Sequence, residues 1–543
     1  MKKIRNFNLS YVSRDAAQYD ARLLDENDVV AARYRRYDGY ENNPNICALP
    51  EEEDMQGLYR SHAVPLPGYD SRLVPKMGTE ERQRILFGIK DVRLPLPFHA
   101  SVESTLHNCL IRSYANREYR LAETGKTAEI VLDGHTVSTA MCSRRNDLMS
   151  TPPAFSVIGT AGSGKTSAIR LTLRKFPKVI IHELDEVSYI QIPIVLLTAP
   201  ANSNLKALFI QFGQQMDDLL GQDSYYSEMF SKQTSNVGRA SNMMTQIIKK
   251  FSIGMIIIDE IQQMDFKANS AKSFENFLAI TSNSGVALCC IGTPDAMDKI
   301  AGDLRIYRRI AGITVKADEY CMEREYVKQL VSVLWQYQFT EIPVPFSDGT
   351  AELIADLSGG SIDAITTICF TIQRHAILRN CPEKMDCEYL RGLLTTRELE
   401  KMGAMIRVSR DKNLKGRLDY RTSIRGEGEN SEYQKKEAEL KGMLNAKSYG
   451  RVADMAAVRS SIMNVFDIYS EAMISAAYEE AEKEEGFAEL PVSDKTKAGM
   501  GILKKMKIPG RRKRAGKKEE KSSRPVLSDE ELMEDMKKAA GGI

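Results

Sequence analysis

The sequence predicts an α/β fold: a three-layer domain with a parallel sheet at its centre, followed by a small helical lid. Three observations predict it. The glycine-rich stretch Gly159-Thr160-Ala161-Gly162-Ser163-Gly164-Lys165-Thr166 lies between an apolar run, Ala154–Ile158, and a helical run that includes Ala168-Ile169-Arg170-Leu171. Further apolar runs at Gln191–Leu197, Gly254–Ile258 and Val286–Ile291 read as buried strands. After residue 320 the periodicity is helical, with short polar breaks.

At 543 residues the chain is too long for one ordinary domain. The expected units are 1–96, an irregular N-terminal interaction arm; 97–315, the nucleotide-binding α/β domain; 316–398, the helical lid; and 399–543, a helical extension with a basic tail. A net charge of +2 confines any nucleic-acid surface to local patches. Nine cysteines occur without C-x-x-C or Cys/His metal spacing, and Cys289-Cys290 reads as a pair of small buried hydrophobes. No apolar run approaches the roughly 20 residues that span a bilayer. A cytoplasmic protein without a membrane partner is expected.

The chemistry of the glycine loop follows from its parts. Glycines let backbone N–H groups close around phosphates, and the helix that follows adds its dipole. Residues Gly159 to Ser167 therefore form the expected ATP cradle, with Lys165 reaching the β- and γ-phosphates and the Thr166 hydroxyl ligating Mg²⁺. The strand Gly254–Ile258 closes on Asp259-Glu260, the Walker B pattern. Asp259 is expected to hold Mg²⁺ through water, and Glu260 to polarise the attacking water. A fourth strand ends in Gly292-Thr293-Pro294, where the Thr293 side chain would lie between the two motif strands and touch the γ-phosphate.

Arg305 and Arg309 are one helical turn apart in Asp303-Leu304-Arg305-Ile306-Tyr307-Arg308-Arg309. In an oligomer Arg305, Arg308 or Arg309 would reach a neighbour's γ-phosphate. Helical patterns at Tyr326–Gln338, Glu352–Leu357 and Ile362–Leu378 suit a lid. Where many such lids carry Gly-x-x-Arg, this chain has Gly359-Gly360-Ser361-Ile362-Asp363. Without that arginine, hydrolysis is expected to be slow and regulated by DNA or a partner.

This order of motifs resembles the AAA+ ATPases, and within them the TnsC/TniB/MuB-like regulators of DNA transposition. The likeness rests on Asn43-Pro44-Asn45-Ile46-Cys47-Ala48-Leu49-Pro50, the His99–Arg117 helix, Asp259-Glu260-Ile261-Gln262, Ile291-Gly292-Thr293-Pro294 and the arginine cluster. It covers roughly residues 40–380. It implies an ATPase that oligomerises as a ring or helical filament on duplex DNA and links a target-selection protein to the transposase, with hydrolysis controlling disassembly. The N-terminal arm would meet the target selector. The resemblance also implies DNA contacts by segment: Lys206 at a helix start, and Lys232 with Thr234 ahead of Walker B. A DNA motor or replication-initiator loader is the alternative.

Seven tyrosines precede residue 70, amid prolines at 44, 50, 65, 67, 75 and 95; helical periodicity is poor, tracts such as Val64-Pro65-Leu66-Pro67 read as extended chain, and the region reads as an interaction arm or a partly ordered tail. At the other end, residues 432–485 read as one or more long helices. The window 504–524 holds eleven Lys/Arg against Glu519 and Glu520, with no aromatic between them, so any nucleic-acid contact there would be to backbone. The sequence from Ser528 starts like a capped short helix, and the whole tail reads as a tether for the transposase machinery.

Overall fold

A computed structural model of the chain describes residues 29–41, 43–121, 130–132, 135–137, 140–144, 151–184, 187–201, 204–233, 237–264, 274–301, 304–310, 312–379, 385–394, 431–466, 468–484 and 486–506. Its central sheet has five strands, all parallel: β1 (Ala154–Ile158), β2 (Ile194–Thr198), β3 (Met255–Asp259), β4 (Ala287–Gly292) and β5 (Thr314–Lys316). The spatial order is β5-β1-β4-β3-β2. Every residue of β3 and β4 is buried, which is why both read as unbroken apolar runs.

Alternate residues of these strands feed two cores. Val157, Ile257 and Cys289 face a layer containing the Phe98–Ala115 and Lys165–Leu173 helices, the N-terminal segment and the lid. Ile158, Ile256, Ile258 and Cys290 face the Leu205–Leu220, Val237–Lys250 and Glu275–Ser284 helices. The two neighbouring cysteines thus lie on opposite faces, both buried, and burial raises both thiols above their usual range. The Phe98–Ala115 helix packs so closely on the chain entering β3 that a Cβ on Gly254 would lie 2.4 Å from Leu110 Cδ1 and 2.7 Å from the Pro193 carbonyl oxygen. Ser113 Oγ donates to the Gly254 carbonyl at 2.7 Å, tying that helix to the sheet.

Residues 29–96 are more ordered than their prolines suggest. Pro44 opens the Pro44–Cys47 helix, capped by Asn43, and Asp54 caps Met55–His62. Together with Thr79–Leu86 these helices insert Ile46, Leu58 and Leu86 into the main core, and Ile89 joins them from the 3-10 turn Phe87–Asp91. Val29–Ala31 runs parallel to Val179–Leu184, which pairs antiparallel with Val187–Gln191 in a second, three-stranded sheet. Two antiparallel strand pairs also lie between residues 117 and 144. The described tyrosines of this segment, 34, 37, 40, 59 and 69, turn at least partly inward. Tyr69, for example, donates to the Gln336 carbonyl at 2.8 Å.

The lid comprises Arg324–Leu334, Asp348–Ser358, Ile362–Arg379 and a fourth helix, Cys387–Leu394. Beyond it, the span expected to be helical divides into Ser431–Met443, Ala446–Met463 and Glu471–Ala481, the latter two capped by Asn445 and Ser470, and a further helix, Val492–Leu503, follows. The first rests on the Phe98–Ala115 helix and the N-terminal segment through Lys436, whose ammonium lies 2.8 Å from Glu52 Oε1. Residues 399–430, the basic window past residue 506 and the stretch from Ser528 lie outside the described residues. Among the described residues no single helix is long and apolar enough to cross a membrane.

Candidate nucleotide site

The strand order sets the carboxyl ends of β1, β4 and β3 side by side, so the glycine loop, Thr293 and Asp259-Glu260 meet at one edge of the sheet. In the loop Gly162 and Gly164 take φ values of +77° and +94°, a region that side chains resist. The loop is held from both sides. Asp318, just past β5, accepts the Thr160 N–H at 2.9 Å, and the Tyr320 hydroxyl donates to the Ser163 carbonyl at 3.2 Å. From the lid, Ser361 Oγ and the Asp363 N–H both donate to the Gly162 carbonyl, at 3.0 and 3.3 Å.

Lys165 opens the Lys165–Leu173 helix and turns its ammonium back to the Thr160 carbonyl at 2.8 Å. The Ser163 N–H and hydroxyl converge on the same oxygen, at 3.3 and 2.8 Å. A bound phosphate oxygen would draw the Lys165 ammonium away from the Thr160 carbonyl. Burial pushes the Lys165 ammonium below its usual value, against the raising pull of Asp318, Glu260 and Asp259.

The Thr166 hydroxyl donates to Asp259 Oδ2 at 2.8 Å, and Asp259 Oδ1 accepts the Glu260 N–H at the same distance. Both groups are hard oxygen donors, and a threonine hydroxyl that donates to the aspartate keeps a lone pair free for a cation. The pair therefore fits Mg²⁺. Glu260 is exposed and left-handed, with φ +57°, a costly backbone for a non-glycine residue. Its carboxylate accepts from the Gln262 side-chain amide. The Gln262 amide oxygen accepts the Thr293 N–H at 3.3 Å, and Lys299 caps the Gln262 carbonyl at 2.9 Å. Thr293 itself is partly exposed at the end of β4, between the two motif strands.

The other expected residues lie on separate helices. Arg305, Arg308 and Arg309 share Leu304–Ile310; Arg308 is exposed, while Arg309 donates to the Leu278 carbonyl of its own chain at 3.4 Å. Lys206 is exposed in the first turn of Leu205–Leu220, whose cap is Asn204. Lys232 is exposed but paired with Glu228 at 2.8 Å, which offsets its charge toward a phosphate. Thr234 lies outside the described residues. Asp318, Tyr320 and Ser361 carry no motif role in the sequence reading, and Gln262 stands in the Asp259-Glu260-Ile261-Gln262 motif without a role of its own there. The first two follow a strand too short to show periodicity, and Ser361 stands out only by its place beside the missing arginine.

Residues 148–300 match the family model described as an AAA domain. With the five-stranded parallel sheet and its loop geometry, the fold is that of an AAA+ domain, a class built for nucleotide binding and, in general, ATP hydrolysis. The chain is similar to a katanin structure bearing on self-assembly, at 14% identity over 54% of this chain and 79% of that one, with a TM-score of 0.23. It is also similar to the FIGL-1 AAA domain in complex with ADP, at 13% identity over 54% of this chain and 79% of that one, with a TM-score of 0.25. No curated protein matches the chain.

Proposed function

We propose that this chain is a Mg²⁺-dependent ATPase whose nucleotide state governs its assembly on duplex DNA during target selection for transposition. The observation that carries the hydrolytic part is the junction of Thr166, Asp259 and Glu260 at the mouth of the glycine loop. Thr166 and Asp259 would hold Mg²⁺, which neutralises charge on the phosphates. Lys165 and the loop N–H groups bind the phosphates, and Glu260 takes a proton from the attacking water. Ser361 and Asp363 couple the loop to the lid, so nucleotide occupancy and lid position depend on one another.

The transposition part is supported by the narrow motif pair Asp259-Glu260-Ile261-Gln262 and Ile291-Gly292-Thr293-Pro294, characteristic of the regulators this chain resembles. In this reading the N-terminal residues engage a target-selection protein, the basic C-terminal tail engages the transposase, and Arg305 or Arg308 reaches a neighbouring copy's nucleotide. An electrophoretic mobility assay with duplex DNA tests it. A shift that requires ATP and Mg²⁺ and disappears in Lys165→Ala supports the proposal; DNA binding indifferent to ATP, or none, refutes it.

A further inference from the structure

We infer that Gln262 is a positioning residue for hydrolysis: its amide holds the Glu260 carboxylate and ties it to the backbone of Thr293. The inference rests on the reading of Glu260 as the base. A backbone N–H can only donate, so the amide oxygen of Gln262 must face Thr293, 3.3 Å away. That orientation leaves the amide NH₂ for Glu260, as observed. One planar group thereby links the end of β3 to the end of β4.

Two further features hold this bridge in place. Lys299, from the Pro294–Ala301 helix, donates to the Gln262 carbonyl at 2.9 Å and anchors the turn that carries it. The second is Gly292. A Cβ there would stand 2.6 Å from Ile261 Cγ2 and 3.2 Å from Gln262 Oε1, so the turn seats against β4 only because that residue is glycine. Glu260 meanwhile keeps its left-handed backbone, a conformation that surrounding contacts must impose.

In the reaction, the water oxygen bonds to the γ-phosphorus as the bond to the β–γ bridging oxygen breaks. That electron pair leaves with ADP, and the water proton passes to Glu260. Gln262 touches none of the reacting atoms. It restricts the carboxylate to one arc and makes that arc depend on Thr293, so a shift of β4 on nucleotide binding moves the base as well. Among the described residues, Lys165 from the loop helix lies within electrostatic reach of the Glu260 carboxylate, and Asp259 accepts its backbone N–H.

The test is steady-state hydrolysis of Mg²⁺·ATP by the full chain carrying Q262A or Q262E, beside E260Q. Q262A is expected to lower kcat about tenfold and leave KM within about twofold, because orientation is lost and substrate binding is not. Q262E sets a second carboxylate against Glu260 in place of the amide that holds it, so kcat is expected to fall at least as far as in Q262A, with KM again within about twofold. A merely structural role would move KM and nucleotide binding together with kcat. Should Q262A fail to bind nucleotide, Q262E, which keeps the size of the side chain, carries the test. Parental kcat in both variants, with E260Q inactive, overturns the inference alone. Loss of activity in Q262E that comes with equally weakened ATP binding does the same. If E260Q hydrolyses at the parental rate, the base assignment and this inference fall together.

Discussion

The hydroxyl of Thr166 and a carboxylate oxygen of Asp259, 93 residues apart in the chain, are 2.8 Å from each other. β4 lies between β1 and β3, with Gly292 paired to Ile158 and Cys290 to Ile258, so the two strands end within about one residue of each other along the sheet. The contact joins the phosphate loop to the acidic strand end.

Asp259→Asn retains the shape of that contact and removes its charge. In the presence of Mg²⁺, ATP affinity is expected to fall about tenfold and hydrolysis by at least about 100-fold, as a metal-holding carboxylate is lost. Affinity measured in EDTA should be unchanged. Calorimetric titration with and without EDTA separates the two, and an equal loss in both would place Asp259 outside the cation site.

Gly162 lies against the lid. A Cβ there would be 2.8 Å from Ser361 Oγ and 3.0 Å from Asp363 Cβ, on a backbone at φ +77°. Gly162→Ala is therefore expected to cost about 1–3 kcal/mol of stability and to weaken ATP binding about tenfold or more. Adding Ser361→Ala returns space but not the φ strain, so the double variant should regain part of the stability. Denaturant titration of the two variants reads this directly; equal stability in both would mean that the lid does not press on the loop.

Four buried histidines make stability depend on acid. Burial pushes His99 and His182 down to about 3, His107 down to about 4, and His62 well below its usual value, with the His62 and His99 Nδ1 atoms 2.8 Å apart. The unfolded chain takes up these protons near an ordinary pKa of about 6.5, whereas the folded chain stays neutral. The stabilisation is thus fully present above about pH 6.5 and is lost as pH falls from there toward the folded values. By pH 5 the loss is on the order of 2 kcal/mol per histidine. Denaturant midpoints at pH 7.5 and pH 5 should differ accordingly, and identical midpoints would contradict the buried neutral pairing.

Much of this site is legible in the sequence because its parts are local. The glycine loop, the strand closing on Asp259-Glu260 and the strand ending at Thr293 each announce themselves within eight residues. The order of strands in space is not local, yet motif order anticipates it. What escaped the sequence is contact between distant segments. Ser361 and Asp318 meet the loop from elements about 200 and 160 residues away, and no local pattern announces either contact. The strands at 179–191 mix His182, Glu183 and Tyr189 into their pairing, which blurs alternation. Prolines before residue 96 mislead in the opposite direction. Pro44 sits in the first turn of its helix, where a missing N–H costs nothing, so it starts structure instead of breaking it.

The most direct test is electron microscopy of the purified chain with duplex DNA and ATP, comparing the parental protein with Lys165→Ala and Glu260→Gln. Glu260→Gln, which binds ATP without a base to spend it, should form rings or filaments on DNA that outlast those of the parental chain, and Lys165→Ala should form none. Monomers of Glu260→Gln that ignore DNA in the presence of ATP would contradict the account.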